Sequence, residues 1–351
     1  MTRDIATDPA TLALDRIAYL LERSQEPTYR VRAFRNAAAA VRAAGAERVG
    51  ELAAAGRLSD LPGVGPTTAE VVAQALAGEV PAYLARLERE TGAPAADDDA
   101  VLRLLGALRG DLHAHSDWSD GGSPVEVMAQ AAAAIGHDYL AMTDHSPRLT
   151  VAHGLDADRL RRQLDLIEQL NSAGGRLRVL TGIEVDILDD GALDQDRELL
   201  ARLDVVVASV HSKLRMDSAA MTRRMVRAVS DPEVDVLGHC TGRIVVGRGR
   251  PPSTFDAAEV FAACAAAGTA VEINARPERL DPPDDLLAVA VEAGCWFTID
   301  TDAHAPGQLE WQANGARKAV AVGIGADRVR NALPLEELVG WLADAQTPKP
   351  D

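Results

Sequence analysis

From about residue 107 onward, short runs of apolar and β-branched residues alternate with longer stretches in which apolar positions recur every three or four residues. The short runs predict strands over 108–113, 138–143, 178–184, 204–210, 234–238, 269–273 and 295–300. The longer stretches predict helices over 124–135, 156–171, 193–202, 218–229, 255–267 and 284–293. Strands separated by crossover helices run parallel. Seven such units point to an α/β barrel rather than an open sheet. Before residue 90 the period is helical throughout: Ile17, Leu20, Leu21, Tyr29 and Phe34 are spaced apolar positions, and an alanine-rich run follows at 37–45. Thr-Gly-Ala-Pro-Ala-Ala-Asp-Asp-Asp-Ala (91–100) is a polar break. The expected organisation is therefore a helical domain over 1–90, a linker over 91–106, a barrel over 107–345 and a tail over 346–351.

Composition narrows the class. A chain of 351 residues with 47% apolar content can bury a sizeable core, and with aromatics at 3% its helices pack through small side chains. No apolar run approaches the roughly 18–20 residues that span a bilayer, and no apolar segment follows Met1, so neither a membrane partner nor a signal peptide is expected. Cys240, Cys264 and Cys295 are scattered, without a Cys-x-x-Cys pair, which fits reduced thiols in a cytoplasmic protein. The net charge of −17 argues against a general nucleic-acid binder. It is unevenly spread: residues 1–90 carry 11 arginines against 12 acids, and nearly all the excess lies beyond them.

The strand ends carry the chemistry. His113 and His115 close the first strand, with Asp120 in the loop after it. His145 follows the second strand, Glu184 ends the third, His211 the fourth, His239 the fifth, and Asp302 with His304 the last. In a parallel barrel all these ends open on one rim. Residues two apart on a strand point the same way, so His-x-His and Asp-x-His can each aim two donors at one centre. A lone histidine there is more often a polar cap than a ligand. Six of the chain's eight histidines, with three carboxylates, reverse that judgement. Imidazole and carboxylate donors without thiolate suit Zn, Mn or Fe, and nine donors fit two or three divalent ions. With no evident protein nucleophile, the expected chemistry is phosphoester hydrolysis by water activated at the metals. Asp120, Glu184 and Asp302 are the carboxylates expected to serve it.

Cations should help hold the phosphate. Arg243, four residues after His239, is the favoured candidate, and Lys213, two after His211, is the second. Arg248 and Arg250 lie further along the loop of Arg243. His137 precedes a strand and reads as structural; His153 is left outside the site.

These residues resemble a known family. Asp-Leu-His-Ala-His-Ser-Asp-Trp-Ser-Asp-Gly (111–121), Met-Thr-Asp-His-Ser (142–146), Thr-Gly-Ile-Glu-Val-Asp-Ile (181–187), Ala-Ser-Val-His-Ser (208–212), Glu-Ile-Asn-Ala-Arg-Pro-Glu-Arg-Leu-Asp (272–281) and Thr-Asp-Ala-His (301–304) resemble the motifs of PHP (polymerase and histidinol phosphatase) domains. The C-terminal PHP domain of bacterial family X DNA polymerases is the nearest likeness, although Cys240 in Gly-His-Cys-Thr-Gly-Arg (238–243) stands where proline is expected. The resemblance implies a distorted seven-stranded barrel with a trinuclear site. His113, His115, Glu184 and Asp302 would hold one metal. Glu184 would bridge to a second, held also by His211 and His239. Asp120, His145 and His304 would hold the third.

The first 90 residues resemble the small N-terminal domain of the same polymerases, through Tyr-Arg-Val-Arg-Ala-Phe-Arg-Asn-Ala-Ala (29–38) and the helix-hairpin-helix turn Leu-Pro-Gly-Val-Gly-Pro-Thr-Thr-Ala (61–69). There Gly63, Gly65 and Thr67 would bring backbone amides to a DNA phosphate, and Arg30, Arg32, Arg35 and Arg42 would extend the contact. Residues 91–106 leave no room for a polymerase core, so no polymerisation is expected. The helical domain has no lysine, so no Schiff-base lyase step is expected there, the N-terminal amine aside. The implied function is processing of gapped, nicked or 3′-blocked DNA, as a 3′→5′ exonuclease or 3′-phosphatase. The alternatives are a small-molecule phosphatase, such as one for histidinol phosphate, and a non-catalytic DNA-binding scaffold.

Overall fold

The computed structural model describes residues 8–91 and 98–345. The tail at 346–351 and part of the expected linker lie outside them. The chain forms two compact units, Met1–Asp97 and Asp98–Asp351. Among the described residues no helix is long and apolar enough to cross a membrane.

The N-terminal unit is all helical, with α1 (Pro9–Arg23), α2 (Thr28–Ala54), α3 (Pro66–Leu76) and α4 (Ala82–Glu90). Asp8 caps α1 by accepting from the Thr11 amide at 3.2 Å. Leu14, Ile17, Ala18 and Leu21 form the buried stripe of α1, at the spacing of one helical face. They join Phe34, Val41, Val71 and Leu87 in one core. α2 breaks at Gly45, where φ is 75°. The hairpin before α3 turns at Gly63 (φ 89°) and buries Val64. α3 then starts with Pro66 at its first turn, while the Gly65 amide donates to Thr68 Oγ1 at 2.9 Å.

The second unit opens with α5 (Asp99–Ala107), which corrects the expected linker. Asp98 caps this helix, and Val101 and Leu104 anchor it in the barrel's main core. Polar aspartates that read as a break therefore serve as a helix start. Seven parallel strands follow: β1 (Gly110–Ala114), β2 (Tyr139–Met142), β3 (Arg178–Asp186), β4 (Val205–Ser209), β5 (Val236–Leu237), β6 (Ala270–Asn274) and β7 (Phe297–Asp300), in sheet order one to seven.

Closure between β1 and β7 uses one backbone bridge, Ala114 to Ala303, and two buried carboxylates. Asp300 Oδ1 accepts from the Leu112 amide at 2.8 Å, and Asp111 Oδ2 accepts from Thr301 Oγ1 at 2.5 Å. Side chains thus substitute for a ladder at this seam, and the barrel is distorted there.

Between the strands run α6 (Val125–Ala134), α7 (Ala157–Ser172), α8 (Arg197–Leu200), α9 (Ser218–Val229), α10 (Ala257–Ala267) and α11 (Asp284–Glu292); α12 (Gln312–Ala321) and α13 (Leu335–Ala345) close the unit. The helix expected over 193–202 shrinks to α8. Ile187 and Leu193 form an antiparallel bridge around a turn at Gly191, so the helix starts only where Asp196 caps it.

Candidate metal centre

The strand termini converge as their order along the chain requires. β1 delivers His113 and, one residue past its end, His115. The His115 amide donates to the Ala303 carbonyl at 2.8 Å, which ties the two edges of the site together. Asp120 sits on a loop held by the buried Asp144. That carboxylate accepts from the Ser116 amide at 2.9 Å and from Ser116 Oγ at 2.6 Å. The loop doubles back at Gly121, where a Cβ would fall 2.6 Å from the Ser116 carbonyl oxygen. Glu184 is on β3, bridged through its backbone to His145. Asp302 lies in left-handed backbone (φ 52°), an uncommon setting for aspartate that the surrounding bonds hold in place.

All nine expected donors come together. His115, Asp120, His145 and His304 form one group of mutually close donor atoms; His113, His115 and Asp302 form another. His145, Glu184 and His211 form a third, and His113, Glu184 and His239 a fourth. Glu184 is the hub. Its Oε1 lies 2.8 Å from His239 Nε2 and 3.2 Å from His211 Nε2. Its Oε2 lies 2.9 Å from His145 Nδ1 and 3.4 Å from His113 Nε2.

The donor set fits a group of metal ions. His113 Nε2, His211 Nε2, both ring nitrogens of His115 and His239, and both Glu184 oxygens are buried without a hydrogen-bond partner. Burying that many unpaired polar atoms is costly unless something else satisfies them. Divalent cations do so, and the donor types suit them.

Supporting groups orient these donors. His113 Nδ1 lies 2.6 Å from Glu272 Oε1, and His211 Nδ1 pairs with Asp186. Each contact leaves Nε2 to face the cluster. Glu272 Oε2 also accepts from the His239 amide at 2.5 Å. Burial opposes charge on His113, yet Glu272 and Glu184 raise its pKa well above the ordinary value. His211 is likewise pushed up to about 9 against its burial, by Glu184 and Asp186. Burial, then the neighbouring His304 and His145, pushes His115 well down. Burial opposes ionisation of Glu184 and Asp302, but surrounding cations, His211 first for Glu184 and Arg276 first for Asp302, hold both well below the usual carboxylate range.

The expected phosphate cations are engaged elsewhere. Lys213 is exposed and pairs with Asp189. Arg243 donates to the carbonyls of Arg279, at 2.9 Å, and Leu280. Two arginines not singled out from the sequence stand at the cluster instead. Arg279 Nε donates to Asp302 Oδ2 at 3.0 Å, and its Nη1 is buried without a partner. Arg276 Nη1 lies 3.1 Å from the Asp302 carbonyl and 2.9 Å from His304 Nδ1. His137 is buried against Gln312, and His153 is exposed in left-handed backbone. The Cys240 thiol is buried 3.8 Å from Asp281 Oδ1, and burial raises its pKa well above the ordinary value.

In the N-terminal unit, three of the four arginines expected on DNA are already paired. Arg35 meets Glu22 at 2.9 Å, Arg42 pairs with Asp15, and Arg30 pairs with Glu26 and donates to Tyr83 Oη at 2.8 Å. Arg32 and Thr67 are exposed.

Residues 111–276 match the PHP domain. The chain contains a PHP domain over these residues. Residues 9–80 match the helix-hairpin-helix domain. The PHP-domain chain is 38% identical over 245 residues to the DNA polymerase/3′-5′ exonuclease PolX of Bacillus subtilis (strain 168), across 70% of this chain and 43% of that protein. It thus spans less than half the length of that relative. A probable phosphatase of Thermoanaerobacter sp. (strain X514) is 28% identical over 206 residues, which cover 55% of this chain and 78% of the other. The crystal structure of histidinol phosphate phosphatase from Lactococcus lactis, complexed with zinc, L-histidinol and phosphate, is 19% identical with a TM-score of 0.43, covering 62% of this chain and 94% of that one.

Proposed function

We propose that this PHP-domain protein is a metal-dependent phosphoesterase of DNA ends, acting as a 3′→5′ exonuclease, a 3′-phosphatase, or both. The observation that carries the reading is the cluster of nine donors around Glu184, with its buried, unpartnered nitrogens and oxygens. His113, His115, Asp120, His145, Glu184, His211, His239, Asp302 and His304 would hold two or three divalent ions (Zn, Mn or Fe). Ions held there supply the positive charge that lowers the pKa of water and neutralises phosphoryl oxygens.

The protein's own groups do the rest. Arg279 fixes Asp302 and offers its unpartnered Nη1 to a phosphoryl oxygen. Arg276 holds the Asp302 carbonyl and His304 in register. Asp120, with a third of its side chain exposed, marks the side from which substrate arrives. The helix-hairpin-helix domain supplies the preference for gapped, nicked or 3′-blocked DNA, through the hairpin amides around Gly65. This function belongs to a cytoplasmic protein.

A second reading, a small-molecule phosphatase, is favoured by the similarity to probable phosphatases, one of which the alignment covers over 78% of its length. One assay separates the two. Wild type and a His113→Ala, Asp302→Ala double variant would be given 3′-labelled gapped DNA, 3′-phosphorylated DNA and histidinol phosphate, each with Mn and with Zn. Metal-dependent turnover of a DNA substrate that the double variant loses is the expected result. Turnover of histidinol phosphate alone would overturn the DNA reading in favour of the second.

A further inference from the structure

Beyond β5 the chain makes a small hairpin at 243–250 that the proposed chemistry leaves unused. Ile244 and Arg250 form an antiparallel bridge across it. Its tip carries Val245 and Val246, 51% and 44% exposed, followed by the exposed Arg248 between two glycines with positive φ. Two adjacent exposed valines are not explained by folding. The rest of this acidic chain makes the local charge conspicuous: from 238 to 255 there are three arginines and no acid, against a net charge of −17 overall.

The hairpin is also fastened to the rim of the metal cluster. The Val245 amide donates to the Glu278 carbonyl at 2.7 Å, and Arg243 donates to the carbonyls of Arg279 and Leu280. Arg250 Nε donates to the Gly242 carbonyl at 2.7 Å, bracing the base. Arg279, one residue beyond Glu278, in turn holds Asp302. A group resting on the hairpin is thereby registered against the donor cluster.

We infer that the 243–250 hairpin is a lip that receives the single-stranded end of a polynucleotide, with bases against Val245 and Val246 and a backbone phosphate on Arg248. Apolar side chains contact base faces without reading sequence, and a flanking cation takes the phosphate. A small phosphate ester has no bases to reach this tip. The inference rests on the DNA-end reading and specifies which element would select polynucleotide over monoester.

The test uses the full chain. A Val245→Ser, Val246→Ser double variant, Arg248→Glu, Arg248→Lys and the distant surface control Val339→Ser are compared on a single-stranded oligonucleotide and on p-nitrophenyl phosphate. Fluorescence anisotropy with the same oligonucleotide, with metal removed by chelation, gives affinity without turnover. The expected result is a KM for the oligonucleotide raised about tenfold by the double variant and by Arg248→Glu. Their kcat, and p-nitrophenyl phosphate turnover, stay within twofold of wild type. Arg248→Lys recovers most of the affinity, and the anisotropy shifts in parallel. Equal losses on both substrates, or no change in oligonucleotide KM and anisotropy, overturn the lip. If wild type hydrolyses no polynucleotide, the DNA-end reading falls. Anisotropy then still decides whether the hairpin binds a strand.

Discussion

At the scale of single residues, His113 and His211 are donors whose second ring nitrogen is already committed to a carboxylate. Glu272 is the clearest case: one oxygen holds His113 Nδ1 and the other accepts the His239 amide, so a single buried carboxylate positions two donors. Glu272→Gln should raise the dissociation constant for Zn or Mn by about 10–100-fold, the usual consequence of losing such a partner. Competition against a chromophoric chelator measures this, and unchanged affinity would refute the role. His137 makes a second prediction. Burial lowers its pKa to about 4 from an ordinary 6.5, so the folded state keeps it neutral while the unfolded chain takes up a proton. Its contribution is full above pH 6.5 and is lost as pH falls from there towards 4, since the unfolded state binds the extra proton in that window. By pH 5 wild type should have lost about 2 kcal/mol more stability than His137→Gln, relative to pH 7. Urea unfolding at the two pH values reads the difference directly. Eight of the nine donors are legible from sequence because they stand at the ends of apolar runs, and Asp120 because it lies in the loop just after the first of them. Glu272 and Asp186 are harder to read because they lie inside such runs, although a charge within a buried strand is itself a signal. Arg276 and Arg279 are not legible in this way because sequence distance from His239 favours Arg243, which turns to backbone carbonyls instead.

At the scale of elements, all seven strands fall within three residues of their expected bounds, because a strand buried on both faces reads as a continuous apolar run. What sequence did not reveal is governed by contacts made at a distance. α5 depends on a core supplied by the barrel, α8 is cut short by a turn, and the β1–β7 seam relies on carboxylates that mimic backbone acceptors. The hairpin before α3 offers a test of the DNA reading. Gly65 has open space where a Cβ would lie, and it precedes the first turn of α3. Gly65→Glu therefore fits sterically, and its charge is favourable to the helix N-terminus. The same charge would repel a phosphate seated on those amides. Thermal stability should stay within about 0.5 kcal/mol of wild type, while affinity for gapped DNA at fixed salt falls at least about tenfold, the penalty expected for like charge at a phosphate site. Undiminished affinity would remove the hairpin from the interface. Arg30, Arg35 and Arg42 are weaker candidates for such a test, because each neutralises an acid of its own domain.

At the scale of the whole molecule, the two units bury separate cores, one around Leu14, Ile17 and Phe34 and the other around the strands. The chemistry and the proposed DNA preference are thus divided between bodies that differ in charge, and the excess of acid lies with the barrel. Part of that excess is the carboxylate set of the proposed metal cluster, so on that reading the barrel's stability should depend on cations. Its four tryptophans, Trp118, Trp296, Trp311 and Trp341, are all the tryptophans in the chain, so intrinsic indole fluorescence reports the barrel and is silent about the helical unit. Chelation should lower the barrel's thermal midpoint measured this way. At a free ion concentration 100 times the dissociation constant, each site contributes about 2.7 kcal/mol to the folded state. For a unit of this size such a loss corresponds to a midpoint shift of roughly 5–10 °C. Restoring Zn or Mn should recover the shift in wild type and recover little of it in Glu184→Gln, whose hub carboxylate is gone. If chelation leaves the fluorescence midpoint unmoved in freshly metal-loaded protein, the unpartnered atoms around Glu184 are satisfied some other way, and the metal-centred reading of the cluster fails.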